Sequence, residues 1–171
     1  MFENIIKNVH NRHPLIHCIT NYVSINDCAN IVLACGGAPI MAEDINEVSQ
    51  ITSICQGLDI NIGMLNDNKL SSMLKAGATA NELGIPVILD PVGAGSSDYR
   101  IKAVQNLMSN VQFGVIRGNV SEIKAIAAKQ GIHNIAAGVY ETMQKNKSAM
   151  GVEAGVAEKN TNDNIKKMGD F

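Results

Sequence analysis

Asp90 is the residue best placed to do chemistry. It closes the run Gly84-Ile85-Pro86-Val87-Ile88-Leu89 and is followed at once by Pro91, Gly93 and Gly95. The run is short, apolar and rich in β-branched residues, the pattern of a buried strand in a parallel sheet. A carboxylate at the C-terminal end of such a strand, facing a glycine-rich loop, lies where open α/β sheets bind their ligands. Asp-Pro is also a common turn starter. On this fragment alone, a ligand site and a plain turn stand level. Asn21 is a second candidate, because it lies where an expected strand passes into a helix; its amide is read as facing a ligand. Asn26 and Asn30, further along, are read as bonding locally. Cys18, Cys28, Cys35 and Cys55 contain no CxxC pair, which gives zinc little support. Their apolar neighbours make buried free thiols the expectation.

The elements that must carry these residues alternate. Residues 3–12 pattern as an amphipathic helix ended by Pro14, and 15–19 as a strand. A helix continues to Cys35, apolar through Ala29, Ile31, Val32, Leu33 and Ala34, and is expected to be well buried. Gly36-Gly37 closes it. Strands are expected at 38–41, 57–63, 84–90 and 113–116. Helices are expected from Glu43-Asp44 to about Cys55, over 66–83 with a flaw at Gly77, over 98–109, and over 121–129. Five strand–helix units predict a parallel α/β sheet with helices on both faces. Right-handed crossovers would bring the strand exits to one edge.

Composition sets the outer limits. A chain of 171 residues with 46% hydrophobic and 18% charged content suits one compact domain and argues against disorder. Trp is absent and aromatics make up only 4%, so aliphatic residues must fill the core. A net charge of -2 gives no polyanion footprint, so nucleic acid is not an expected partner. The N-terminus lacks a signal-peptide pattern and no apolar run is long enough to span a bilayer. A cytoplasmic, reduced, membrane-free protein is expected. The strand–helix pattern holds through residues 1–131. Residues 132–171 read as a divergent polar tail, partly disordered, with a helix over 133–146 at most.

Five motifs in order carry a resemblance: His17-Cys18-Ile19-Thr20-Asn21-Tyr22-Val23; Ala38-Pro39-Ile40-Met41-Ala42; Asn61-Ile62-Gly63; Leu89-Asp90-Pro91-Val92-Gly93-Ala94-Gly95; and Val115-Ile116-Arg117-Gly118-Asn119-Val120-Ser121-Glu122. Together they resemble the hydroxyethylthiazole kinases of thiamine biosynthesis and salvage, over roughly residues 12–130. The resemblance implies a ribokinase-like fold and ATP-dependent phosphorylation of the alcohol of 4-methyl-5-(2-hydroxyethyl)thiazole. It implies a homotrimer with the thiazole held at subunit interfaces. Position by position, Asn21 and Met41 match residues lining the thiazole pocket, and Gly63 matches a pocket residue contributed across the interface. Arg117 and Asn119 fall in the ATP-phosphate motif. Asp90 and Glu122 match the positions that organise Mg2+ and phosphate and carry catalysis.

The residue types suit that chemistry. Phosphoryl transfer asks for positioning and charge neutralisation. Magnesium takes one or two carboxylates plus water and phosphate oxygens, and arginine pairs with phosphate in a fork. Simpler readings stand beside these: Met41 as core, Glu122 as a helix-dipole partner, Arg117 as a surface charge, His17 as a hydrogen-bonded core histidine, Tyr22 as packing.

Two departures from the family pattern bear on function. Met64 stands where a threonine usually follows the Asn-Ile-Gly turn, which points to altered recognition or a related small alcohol. Nothing like the family's Gly-Thr-Gly-Cys helix start occurs in these 171 residues. That segment makes an anion hole, so impaired catalysis, a truncated chain or a thiazole-binding remnant are the expectations it raises.

Overall fold

The computed structural model describes residues 2–129. They lie in a compact unit, Met1–Gln130; a second unit comprises Gly131–Phe171. The tail and the helix expected over 133–146 lie outside the described residues.

Among the described residues eleven elements alternate as α1 (Phe2–Arg12), β1 (Leu15–Ile19), α2 (Ile25–Ala34), β2 (Ala38–Met41), α3 (Val48–Ile54), β3 (Gly57–Asn61), α4 (Asp67–Glu82), β4 (Val87–Asp90), α5 (Asp98–Asn110), β5 (Val115–Ile116) and α6 (Val120–Lys129). The five strands form one sheet in the order β2-β1-β3-β4-β5, and every pairing is parallel. Register puts His17 beside Leu58, Leu58 beside Val87, and Ile60 beside both Ile19 and Leu89. Those side chains make one face, buried against Met73, Ala76 and Ala80 of α4 and Val104 and Leu107 of α5. The other face carries Met41, Cys18, Asp59 and Ile88 in register, then Asn61 beside Asp90. Ile25 of α2 meets Met41 and Cys18 there, so the sheet has helices on both faces near β1 and β2.

Local chemistry sets the element ends. After α2, Gly36 N–H donates to the Leu33 carbonyl and Gly37 N–H to that of Val32. This is a Schellman closure, and Gly36 takes the left-handed conformation it requires (φ +92°). Gly84 (φ +67°) closes α4 in the same way. Asn66 caps the start of α4 by accepting from Lys69 N at 2.9 Å.

Four expectations are corrected. No residue of α2 is fully buried, and Ile31 and Leu33 are 61% and 56% exposed. The helix packs against β2 near one margin of the sheet, and apolar content alone does not supply a second covering layer. Asn26 and Asn30 lie on its exposed side and make no side-chain hydrogen bond among the described residues. Glu43-Asp44 does not start a helix: the Asp44 carboxylate accepts from Asn46 N, holding a turn that delays α3 to Val48. Of the cysteines, Cys18 and Cys55 are buried as expected, Cys28 is half-buried and Cys35 is exposed.

Gly77 is a packing site rather than a flaw. A Cβ there would lie 2.5 Å from Val111 Cγ2. Gly77→Ala gains about 1 kcal/mol of helix propensity but overpacks the contact at a cost of about 1–3 kcal/mol. We expect net destabilisation in urea unfolding. Adding Val111→Ala should relieve most of the added strain, a coupling that a double-mutant cycle measures.

Candidate functional site

Parallel strands place the ends of β1, β3, β4 and β5 along one edge, where a chain of side-chain hydrogen bonds runs across the sheet. Asn21 Oδ1 accepts from Ser24 N and Oγ, both at 3.0 Å, which shapes the turn into α2. Its Nδ2 donates to Asn61 Oδ1 at 3.3 Å. The same Asn61 oxygen accepts from Gly63 N at 2.8 Å, and Asn61 Nδ2 donates to Asp90 Oδ2 at 3.0 Å. Arg117 Nη1 completes the line, donating to Asp90 Oδ2 at 2.8 Å. Asp90 Oδ1 has no hydrogen bond among the described residues. A Cβ at Gly63 would come within 2.9 Å of both Asn21 Nδ2 and Asn61 Oδ1; only glycine leaves this line intact.

Glu122 joins the loop after β4 to the start of α6. Its Oε2 accepts from Asn119 N at 2.8 Å while Asn119 Oδ1 accepts from Glu122 N at 3.0 Å. This reciprocal pair is a capping box with asparagine at the cap. The other carboxylate oxygen accepts from Gly93 N at 2.9 Å. Gly93 has φ +66°, a conformation that favours glycine.

Electrostatics at this edge are set by burial and by the carboxylates' proximity. Burial raises the Asp90 carboxyl above its ordinary value, Arg117 opposes that, and the charge of Glu122 adds to it. Asp59, one pleat back on the same face, is pushed up to about 6 by burial and by the charge of Asp90, with Arg117 opposing. An acid whose folded value is raised holds its proton longer in the native state. Stability therefore falls as pH rises from the ordinary 3.8 to about 6. We expect Asp59→Asn to remove this slope and to stabilise the protein above pH 6 by on the order of 1–3 kcal/mol. Denaturation at pH 4.5 and pH 7 checks it; parallel pH profiles for both proteins would refute the assignment.

A second cluster fixes the exits of β1 and β2. Lys69 of α4 is 3% exposed; its ammonium meets Glu43 Oε2 at 2.7 Å, the Thr20 carbonyl at 2.5 Å, and the Tyr22 ring at 4.5 Å to the centroid. The Tyr22 hydroxyl donates to the other oxygen of Glu43. Met41 lies outside the Asn21–Arg117 line. It lines a cavity of about 160 Å³ with Cys18, Thr20, Tyr22, Ile25 and Glu43. His17 is a core histidine, bonded to Thr52 Oγ1 at 2.9 Å and to the Ala42 carbonyl at 2.8 Å. Met64 is exposed.

The hydroxyethylthiazole kinase family model matches residues 6–166. The chain belongs to that family. It is 61% identical over 132 residues to a hydroxyethylthiazole kinase of Clostridium acetobutylicum, an alignment covering 77% of this chain and 48% of that protein. One from Ruminiclostridium cellulolyticum is 46% identical over 161 residues, covering 94% of this chain and 53% of the relative. The fold matches the solved hydroxyethylthiazole kinase structure from Pyrococcus horikoshii OT3 with a TM-score of 0.73 and 40% identity, covering 75% of this chain and 50% of that one. The chain spans about half the length of the curated relatives it matches.

Within this hydroxyethylthiazole kinase fold, Asn21, Gly63, Asp90 and Arg117 share one hydrogen-bonded line, and Asn119 and Glu122 are tied to the adjacent Gly93 loop. Sequence reasoning named no role for Asn61, the residue through which the line passes. Strand alternation could have found it, since Asn61 shares a pleat face with Asp59 and is paired with Asp90. Lys69, Glu43 and Arg100 were also missed, and no local motif marks them.

Proposed function

We propose that this chain carries the alcohol-binding wall and part of the phosphate-binding wall of a kinase. Its reaction is transfer of the γ-phosphoryl group of ATP to the primary hydroxyl of 4-methyl-5-(2-hydroxyethyl)thiazole, in thiamine biosynthesis or salvage. The observation that carries this is Asp90. One carboxylate oxygen is hydrogen-bonded on one side to Asn61, which holds Gly63 and Asn21, and on the other to Arg117. That node lies between positions matching the family's thiazole pocket and positions matching its phosphate site.

Each residue has a definite task in this reading. Asn21 lines the alcohol, Gly63 reaches an alcohol across a subunit interface as the family resemblance implies, and Met41 supplies apolar contact from its neighbouring cavity. Arg117 is 75% exposed, so its guanidinium is free to turn from Asp90 to a phosphate and to pair with it as a fork. Loss of that partner leaves Asp90 available to the substrate hydroxyl or to a cation. Asp90 Oδ1 suits Mg2+, which favours one or two carboxylates and keeps its remaining positions for water and phosphate. Glu122 gives both oxygens to backbone amides, so it fits as the holder of the Gly93 loop and would act on a bound magnesium ion only through water. When bound, magnesium would neutralise charge on the phosphates.

The homotrimer implied by the family resemblance is part of this proposal, and the exposed apolar side of α2 supports a partner surface, since such surfaces are commonly interaction sites. No helix among the described residues is long and apolar enough to cross a membrane, and a cytoplasmic setting is part of this proposal. The test uses the 171-residue chain with ATP, Mg2+ and the thiazole alcohol. Thiazole phosphate should form only when magnesium is present, and titration calorimetry should register thiazole binding. Binding without turnover would remove catalysis from the reading; neither binding nor turnover would remove all of it.

A further inference from the structure

Arg100, in the first turn of α5, has no part in the reading above. Its Nη1 donates to the Ile62 carbonyl at 2.6 Å and to the Val92 carbonyl at 2.9 Å, and its Nη2 donates to the Gly63 carbonyl at 2.7 Å. Ile62 and Gly63 follow β3; Val92 follows β4. One planar group therefore grips the backbone of both loops that flank Asp90. The described ion pairs are Lys7–Glu3, Lys69–Glu43 and Arg117–Asp90, so this guanidinium is held by carbonyl dipoles and not by a carboxylate. Its start is fixed as well, because Arg100 N donates to the cap oxygen of Ser97 at 3.2 Å. A Cβ at Gly93 would lie 3.6 Å from Arg100 Cδ, so the stem runs against the phosphate-side turn.

The carbonyls and the amides of these loops are held by different residues. Arg100 takes the carbonyls of Ile62, Gly63 and Val92. Asn61 takes the amide of Gly63, and Glu122 takes the amide of Gly93. The amide partners belong to separate elements, β3 and α6, and each holds the backbone of only one of these two loops. Arg100 alone among these three bridges the two loops. Lysine could not replace it: a point ammonium on a flexible stem does not present a rigid fork to carbonyls from two loops.

We infer that Arg100 is a positioning residue that makes the loop after β3 and the loop after β4 a single rigid unit. The clamp itself rests on geometry. Its meaning for ligands rests on the proposed function, in which Gly63 faces an alcohol held at a subunit interface and the Gly93 turn faces phosphate. Fixed separation matters because phosphoryl transfer depends on holding two reactants in line, and displacement of about 1 Å can cost about a hundredfold in rate.

Amide hydrogen exchange followed by NMR tests the clamp without any ligand. In the unaltered chain, the amides of Gly63, Gly93 and Ala94 should open with one shared free energy, lower than that of Ile60 and Leu89. In Arg100→Lys all three should exchange at least tenfold faster while Ile60 and Leu89 keep their protection. Unequal opening energies in the unaltered chain, or faster exchange in only one loop of the variant, would overturn the inference. The first measurement decides even if the variant fails to fold. In parallel, calorimetry with 4-methyl-5-(2-hydroxyethyl)thiazole should give at least tenfold weaker affinity for Arg100→Lys. Equal affinity would overturn the positioning role. An unaltered chain that binds no thiazole would count against the proposed function, leaving exchange to judge Arg100.

Discussion

On the proposed function, Asp90→Asn is expected to lower magnesium-dependent thiazole phosphorylation by at least about a hundredfold and to leave the fold as stable as before, or more so. The size of the first effect follows from the chemistry asked of the carboxylate. An acid–base or charge-stabilising group contributes about 10²–10⁴ in rate. The second effect follows from the environment. Burial pushes the Asp90 carboxyl up, so the ionised form is held at a cost to folding. The Arg117 partner is mostly in solvent, and such a pair returns only about 0–1 kcal/mol. Asparagine keeps an acceptor for Asn61 and Arg117 while removing the buried charge. A residue retained against stability is a signature of function. Turnover and denaturation of the same preparation decide the matter: activity within threefold of the parent would take Asp90 out of the site.

Glu43→Ala destabilises the protein far more than Lys69→Met does, although the two residues form one ion pair. Lys69 is almost wholly buried and Glu43 is 38% exposed. Removing Glu43 strands an ammonium in the interior with a carbonyl and an aromatic face. Stranding a buried charge costs about 3–5 kcal/mol, and the exposure of Glu43 places this case near the lower figure. Lys69→Met removes the buried charge and fills its space, leaving a carboxylate that water reaches and Tyr22 still bonds; about 1 kcal/mol is expected. Denaturant midpoints at pH 7 give the order, and equal losses would show that the pair is not asymmetric. A pH signature accompanies it. Burial alone would raise the Glu43 carboxyl, but the hydrogen bonds from Lys69 and Tyr22 outweigh it and hold the group below its ordinary value. Its contribution is therefore complete above the ordinary carboxylate value and is lost as pH falls through the lowered one. Lys69→Met should weaken that acid-side loss.

The alternation of elements was legible because its signals are local. The β-branched run before Asp90 and the glycines at 36 and 37 act within a few residues of themselves, whereas Gly84, read as the start of a strand, closes α4 instead. The burial of α2 was not legible, since apolar composition reports what a helix can bury and not what lies against it. The late start of α3 depended on an aspartate folding back two residues later. At the candidate site, Asp90 stands out by its strand end and loop, which leave a ligand site and a turn level, while Asn119-x-x-Glu122 comes from the family resemblance, although its capping pattern is local. Lys69 could not: its carbonyl partner, Thr20, is 49 residues away. Arg100 reads as an ordinary first-turn cation of a helix until the fold brings Gly63, 37 residues earlier, beneath it.

The strand order β2-β1-β3-β4-β5 also has a consequence for synthesis on the ribosome. Parallel sheets with long crossovers close slowly, because each pairing waits on a distant segment. Here β1 emerges first and becomes the seam. β2 pairs on one side of it and β3 on the other, then β4 joins β3 and β5 joins β4. Each of the described strands β2 to β5 finds its partner's edge already made when it leaves the exit tunnel, so this part of the nascent sheet widens in the order of translation.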